Sequence, residues 1–557
     1  MKSIIKLTLL VTIILLKSQV LLAQNQDSLL RDNVIDVVKT FQPVLSDAIR
    51  IPVQPNPEKP EIKKPNFTYQ ISPANIAVPP TIYTIKPLAL GTMLLPKLQN
   101  NYVRIGYGNY NMPMGEIYLG SVRNKQYQAG FFAKHLSGNG DLNYNNFSNN
   151  TVYGYFKKFN SKGVFETDAY YHRNVVRLYG GQNELLPENK EPKLVYNTYD
   201  FKTNYHNLSS DSNGLIFRTD LNYYHFNNPG TLQENDVHLK AKLNKTISLL
   251  PIELETGLRL NNNKINQPLS AAELDFRRIF FDFNPQIYMR AKSFYLQGGF
   301  NATVYADSTN TNTYIFPKAE GGLHLIPSKL TVLAGFKGNL QPNTYRSILT
   351  ENPFVTQMPL LNTINRFEIY GGFKGEITPQ LAFYLMGSSA KIENMLFYTF
   401  DSANANQIAT YETTKANLTT LKAGINYQWA EKWRSGLNIG IFNYDLNQLK
   451  QAYSRPEFET KFNTTYNIGD KFLVKLDIYY WGKRMGRSDA LQADGTVNTS
   501  DFEMDPFTDL NLGIDYRYNK SFSAFVQFNN IANNRYQRFY DYPVYGINVL
   551  GGFTFTF

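Results

Sequence analysis

The chain contains no cysteine among its 557 residues. That excludes disulfide staples, thiolate metal sites, cysteine nucleophiles and a lipid anchor on a cysteine. Long apolar runs are missing too. Beyond residue 23 no stretch approaches the ~20 apolar residues that a spanning helix needs. Histidine is scarce: His135, His172, His206, His225, His238 and His324 are scattered, none at metal-ligand spacing, and there is no HExxH. Asp220 and His225 fall on opposite faces of one strand by parity, and Asp200 and His206 share a face six residues apart. These read as polar wall residues rather than a triad. The stretch RIGYGNY (Arg104–Tyr110) has two glycines but no helix after it, so it reads as strand and not as a phosphate loop. The expectation is a non-enzyme with no cofactor and no metal. Net charge is +11, falling to about +8 without Lys2, Lys6 and Lys17. The excess is scattered, so nucleic acid is not an expected partner.

What is present divides the chain in three. Residues 1–23 have a basic start, a short apolar run from Leu7 to Leu16, and a small residue, Ala23, at the end. That pattern is a secretory signal, with the mature chain starting at Gln24. Residues 24–100 hold 11 of the 27 prolines. Proline at that density forbids long helices and central strands, so this segment reads as an extended periplasmic or lumenal tether.

From residue 101 to 557 short runs of alternating apolar and polar residues recur, about 22 in all. In DVHLKAKLNK, Val237, Leu239, Ala241 and Leu243 share one face and His238, Lys240 and Lys242 the other. The next run sets Ile252, Leu254, Leu258 and Leu260 against Glu253, Glu255 and Arg259. Folded about Ile247–Ser248, the runs place Lys242 opposite Glu253, Lys240 opposite Glu255 and Asp236 opposite Arg259. Tight turns such as RNKQ, AEKW and GDK follow every second run, and the other connections are mostly longer and polar. An even strand number, short turns at one end and long loops at the other describe an all-β fold: a transmembrane antiparallel β-barrel of about 22 strands in the outer membrane. A soluble sandwich, propeller or solenoid does not explain the alternation of turn length. The six charged residues Asp236, Lys240, Lys242, Glu253, Glu255 and Arg259 are expected to line the lumen. Tyr170, Tyr171, Tyr223, Tyr224, Phe226, Phe280, Phe281, Tyr479, Tyr480 and Trp481 are expected to form the interfacial girdles.

The ending DLNLGIDYRYNKSFSAFVQFNNIANNRYQRFYDYPVYGINVLGGFTFTF resembles the barrel terminus of TonB-dependent receptors, especially those of the Bacteroidota. Asn529, Asn530 and Asn533, then Tyr536, then Pro543 and Gly546 before a last strand ending in Phe carry the likeness. It is specific over the last 50 or so residues and architectural before them. It implies a channel or receptor for uptake or export of a solute. The chain departs from that family in having only about 77 proline-rich residues, Gln24 to Asn100, where receptors carry a folded plug. NVIDVVKTFQP resembles a degenerate energy-coupling box, which implies a TonB-type partner. A plugless scaffold that assembles with lipoproteins or periplasmic partners through residues 24–100 is the alternative.

A barrel of ~22 strands needs closing. Residues 24–100 entering or capping the lumen, or a partner, are expected to do it, with connections 177–193 and 340–362 as the other candidates. The last strand is expected to pair with the first near Tyr102–Asn109. Ile547, Val549, Phe553, Phe555 and Phe557 would then face lipid, with Asn548, Thr554 and Thr556 facing the lumen. Gly552, Phe555 and Phe557 fit the signal read by the barrel-assembly machinery.

Overall fold

A computed structural model describes residues 101–557 apart from 122–123, 181–192, 209–213, 249, 267–272, 328, 358–359, 402–405 and 492–496. The signal and the proline-rich segment expected over 1–23 and 24–100 lie outside the described residues. Among those described there are 27 strands and one short helix, Tyr345–Glu351. Twenty-two strands close an antiparallel barrel. The other five, Val355–Gln357, Arg484–Leu491, Val497–Met504, Gln537–Phe539 and Tyr542–Pro543, lie within three of the long connections.

The alternating pattern explains the wall. On one face of each strand the side chains are large and apolar, and they are left exposed: Phe553 and Phe555 are 53% and 51% accessible. A belt of such residues around a water-soluble protein would be an aggregation hazard, whereas in a bilayer it is the contact surface. The first strand, Tyr102–Gly108, pairs with the last, Asn548–Thr556, from Tyr102↔Thr556 to Gly108↔Leu550. Closure removes both edges, so no unpaired ladder remains at the seam. At its centre Gly106 faces Gly552. The Phe525 ring lies beside both glycines, and the Arg104 guanidinium sits over that ring at 3.7 Å.

At one end the hairpins are tight. Ser248, Ala430 and Asp470 take left-handed backbone there (φ 58, 49 and 56), as two- and three-residue hairpin turns require. The hairpin of Leu232–Ile247 with Leu250–Asn266 forms in a register two residues from the expected one. Ile247 pairs with Leu250, Lys242 faces Glu255, His238 faces Arg259 and Asp236 faces Asn261. The tight turn at Ser248 sets the register, and charge matching does not override it. A shift of two preserves the faces, so two of the expected ion pairs form along the diagonal. Lys242 Nζ lies 2.8 Å from Glu253 Oε2, and Arg259 Nε 2.7 Å from Asp236 Oδ2.

The girdle expectation needs a correction of the same kind. Tyr223 and Phe281 face outward, but their neighbours Tyr224 and Phe280 are each 1% accessible and face inward, as does Phe226. Runs of two or three aromatics divide between the faces because the side-chain period is two.

Candidate functional site: a mouth closed by two loops

The long connections lie at the opposite end from the tight hairpins, the end that faces outward in barrels of this type. Two of them turn inward. Connection 342–362 carries the helix Tyr345–Glu351. Thr344 caps it: its hydroxyl accepts from Ser347 N at 3.1 Å, and the Ser347 hydroxyl meets Thr344 N at 2.9 Å. Tyr345, Ile348 and Leu349 share one face and are buried. They pack on Tyr196, Tyr224, Phe226 and Leu232 from the wall and on Phe539 and Tyr542 from connection 530–547. The loops meet where Phe354 stacks on Tyr542 with ring centres 3.8 Å apart. A loop with this burial is a lid with its own core.

Charged groups bind the lid to the wall. Glu234 is wholly buried and accepts from Tyr224 Oη at 2.6 Å and Tyr345 N at 2.7 Å. Its carboxylate thus satisfies an N–H at the helix start that has no partner within the helix. Arg346 donates to Asp200 at 2.6 Å, with its guanidinium 3.6 Å from the centre of the Tyr224 ring. Arg278 holds the neck of the loop at both ends, donating to Asn343 O at 2.8 Å and Asn362 Oδ1 at 3.2 Å. The second loop is clamped by Arg484, which donates to the carbonyls of Gln537 and Arg538 at 2.6 Å each. Arg484 lies in the hairpin beyond the membrane. Burial, and then the neighbouring Arg538 cation, pull its pKa down to about 10.

A third connection, 446–457, braces the helix end: Arg455 donates to Glu351 at 2.6 Å. Beside it is a cavity of about 220 Å3 lined by Tyr398, Trp481 and Phe539 and by the charged Arg455, Arg538, Glu351 and Glu459. Glu412 holds this connection at its root, accepting from Gln448 N at 2.9 Å, Leu449 N at 2.8 Å and the Thr414 hydroxyl. Burial works to raise its pKa, but those donors outweigh it and hold the carboxyl below the ordinary glutamate value. A depressed acid stabilises above its unfolded pKa and loses that contribution as pH falls through the folded one. The Gln448 and Leu449 amides should therefore stay protected at pH 7 and lose protection only below the ordinary glutamate value of ~4.3. In Glu412→Gln they should exchange freely at pH 7, with the pH step gone. Hydrogen exchange read by mass spectrometry checks both.

Of the residues singled out in the sequence, Asp236 and Arg259 lie just below the lid, and Lys242 with Glu253 lie further down the same wall. Gln286 also donates to Glu253. Lys240 is exposed. In the last strand Ile547, Phe553, Phe555 and Phe557 point outward and Val549 is half-buried. Gly552 lies against the first strand. Sequence reasoning missed Glu234, Arg278, Arg346 and the helix. One signal was there: Thr344 and Ser347 at cap spacing, with apolar residues at 345, 348 and 349. Nothing local marks Glu234 or Arg278 as their partners.

No protein-family model matches the chain, and no curated protein does. Solved structures do. The pyoverdine outer membrane receptor FpvA from Pseudomonas aeruginosa PAO1 superposes with a TM-score of 0.64 at 13% identity, over 82% of this chain and 78% of that one. The ferric-catecholate import receptor Fiu from K12 E. coli gives 0.62 at 11%, over 83% and 82%. The copper transporter OprC gives 0.59 at 10%, over 82% and 80%. Identities this low establish the fold alone: the chain is a 22-strand outer-membrane β-barrel with the architecture of these receptors and transporters.

Proposed function

We propose that this protein is a receptor-type transport barrel that keeps its outer mouth shut with its own loops and opens it to pass a solute. The observation that carries the reading is the lid itself. Buried charges, Glu234, Arg278 and Asp200, hold an inward-folded helix across the lumen of a wide barrel. Buried charged contacts are weak devices for stability alone, because their desolvation offsets their attraction. They serve better as latches, since breaking one partner releases the whole set. The polar, charged inner wall below, with Lys242, Glu253, Asp236 and Arg259, is the lining of a path for a hydrophilic cargo.

The neighbours of like fold are a pyoverdine receptor, a ferric-catecholate import receptor and a copper transporter. A small metal chelate is accordingly the cargo class to try first. The cavity beside the lid, lined by aromatics and arginines, is the place for its first contact. Energy coupling through a TonB-type partner would fall to residues 24–100, outside the described residues, and the Gly552, Phe555 and Phe557 ending would serve the barrel-assembly machinery. The test is purification of the full chain from native membranes in mild detergent, followed by mass spectrometry of what comes with it. A small chelate at near-equal stoichiometry is the expected result. A stoichiometric lipoprotein and no small ligand would overturn it in favour of a scaffold.

A further inference from the structure

We propose that three adjacent hairpins at the periplasmic rim form a binding site for the phosphate headgroups of anionic phospholipids, with Lys432, Lys471 and Lys520 as its cations. The strands set these turns side by side. Asn406–Trp429 returns as Trp433–Asp445, which pairs with Phe458–Ile468. That strand returns as Phe472–Trp481, which pairs with Phe507–Arg517, and the third turn leads into Phe522–Asn529. Backbone bonds lock the row: Lys432 O accepts from Asn467 N, and Lys471 O from Arg517 N, at 2.7 Å each. The three lysines are held at successive hairpins along one stretch of rim, and each is exposed.

The outer wall next to these turns is aromatic. Trp429, Trp433, Tyr466, Phe472 and Tyr516 point outward and are exposed. Trp433 meets Tyr466 edge to face at 6.2 Å, and Phe472 packs on Tyr516 at 4.8 Å. Further from the turns the same face is aliphatic, as Leu421, Ile425 and Ile441 are. Aromatics that follow an aliphatic belt mark the edge of the hydrocarbon, where headgroups begin. The lysines come immediately beyond that row. Lys432 Nζ sits 5.9 Å from the centre of the Trp429 ring. Trp429 faces the lipid, so this ammonium lies on the lipid side of the rim rather than over its opening. Lys471 Nζ donates to Tyr518 O at 3.2 Å, and the Tyr518 side chain is itself exposed.

Charge fits an anionic headgroup. Across the three turns and their flanks, Lys432, Arg434, Lys471, Arg517 and Lys520 stand against Glu431 and Asp470, a net excess of cations. Asp470 is engaged within its own turn, accepting from Asn467 Nδ2 at 2.6 Å. Lys125, Lys162, Lys292 and Lys329 place an exposed lysine in four further tight turns at the same end. A lysine is a compact charge on a flexible apolar stem, so it can lie along the aromatic row and still reach a phosphate. The lipid source follows from the depth. Phospholipid phosphates lie where the aromatic row ends, and a cation there is attracted by an anionic leaflet. An acidic protein docked under the barrel would need cations on the underside of the rim, clear of that row.

Tryptophan fluorescence tests this. The chain has three tryptophans, so a Trp481→Phe parent keeps only Trp429 and Trp433, both at the site. The full chain of this parent is reconstituted into phosphatidylcholine vesicles. Rising fractions of phosphatidylglycerol or phosphatidylcholine, brominated on the upper acyl chain, are then added, because bromine quenches tryptophan on contact. Phosphatidylglycerol should occupy the site about fivefold more strongly than phosphatidylcholine, and high salt should remove the preference. Lys432→Gln, Lys471→Gln and Lys520→Gln together should bring the two quenching curves into coincidence. Lys432→Arg, Lys471→Arg and Lys520→Arg together should keep them apart. Heat-modifiable gel mobility confirms that each variant is folded, and single substitutions stand in for a triple that is not. Coincident curves in the parent, or an unchanged preference in the Gln variants, would overturn the proposal. Coincident curves together with binding of the detergent-solubilised protein to polyglutamate, lost in the Gln variants, would overturn the lipid in favour of an acidic protein partner.

Discussion

Unlatching the lid should turn a silent barrel into a large conducting pore. The variant is Glu234→Gln combined with Arg278→Ala. Each removes one side of hydrogen bonds between a buried charged group and neutral partners, a loss of about 1.5–3 kcal/mol. Moving a two-state equilibrium from 1:99 to 99:1 takes ~5.5 kcal/mol, so the pair together should raise the open form from a trace to a substantial fraction. The released loop leaves a lumen bounded by 22 strands, wider than the 16–18-stranded porins that already hold an aqueous channel. Planar bilayers containing the variant should show conductance steps at least as large as those of porins, while the wild type stays closed. Cells carrying the variant should become sensitive to bulky antibiotics that the outer membrane normally excludes.

A second construction, with residues 344–360 replaced by a short Gly/Ser linker, guards against misfolding of the point variants. Both should also be tried with residues 24–100 deleted. Opening only after that deletion would show that the proline-rich segment closes the lumen as well. A barrel that stays silent in every combination would sink the lid as a gate. Deleting 24–100 alone should leave the wild-type lid shut.

Gly552→Ala should abolish closure of the barrel, although it adds a single methyl group. A Cβ at this position would lie 2.0 Å from Ile105 O, 2.6 Å from Gly106 Cα and 2.8 Å from the Phe525 ring. Two of these three are backbone atoms of the first strand, which cannot step aside without breaking the seam ladder. A loss above ~4 kcal/mol belongs to the small class of substitutions that most domains do not survive. An open seam also exposes two unpaired strand edges, the usual start of aggregation. The matched control is the adjacent Gly551→Ala, where the nearest atom is Phe525 O at 3.7 Å, an ordinary contact. The expected result is a heat-modifiable, folded Gly551→Ala protein and a Gly552→Ala protein that never reaches that form. Equal folding of both would show that the seam has slack that the geometry denies.

These two results depend on different kinds of information. The barrel was legible in the sequence because its code is local. A strand states its two faces within ten residues, as Val237, Leu239 and Ala241 do against His238, Lys240 and Lys242. Repeating that statement about 22 times between alternating short and long connections leaves few architectures. The closing pair of strands followed from the same rule, since an unpaired end such as GGFTFTF has no stable place outside a seam.

Where the sequence alone misled, two local signals competed. Charge matching and turn geometry gave registers two residues apart, and the backbone turn prevailed because it leaves the chain little freedom, whereas ion pairs reform along the diagonal. Alternation and aromatic content competed at Tyr223-Tyr224, and parity sent one ring to the lipid side and the other into the lid.

The lid itself was beyond sequence reading. Glu234 meets Tyr345 across 111 positions, and Arg278 meets Asn362 across 84. No spacing rule links residues that far apart. From its sequence, then, this protein is an exported 22-strand barrel with an apolar belt and a polar lumen. That two of its long loops fold inward as a latched core was decided only by the tertiary structure, because their partners are set by where the strands carry them around the barrel.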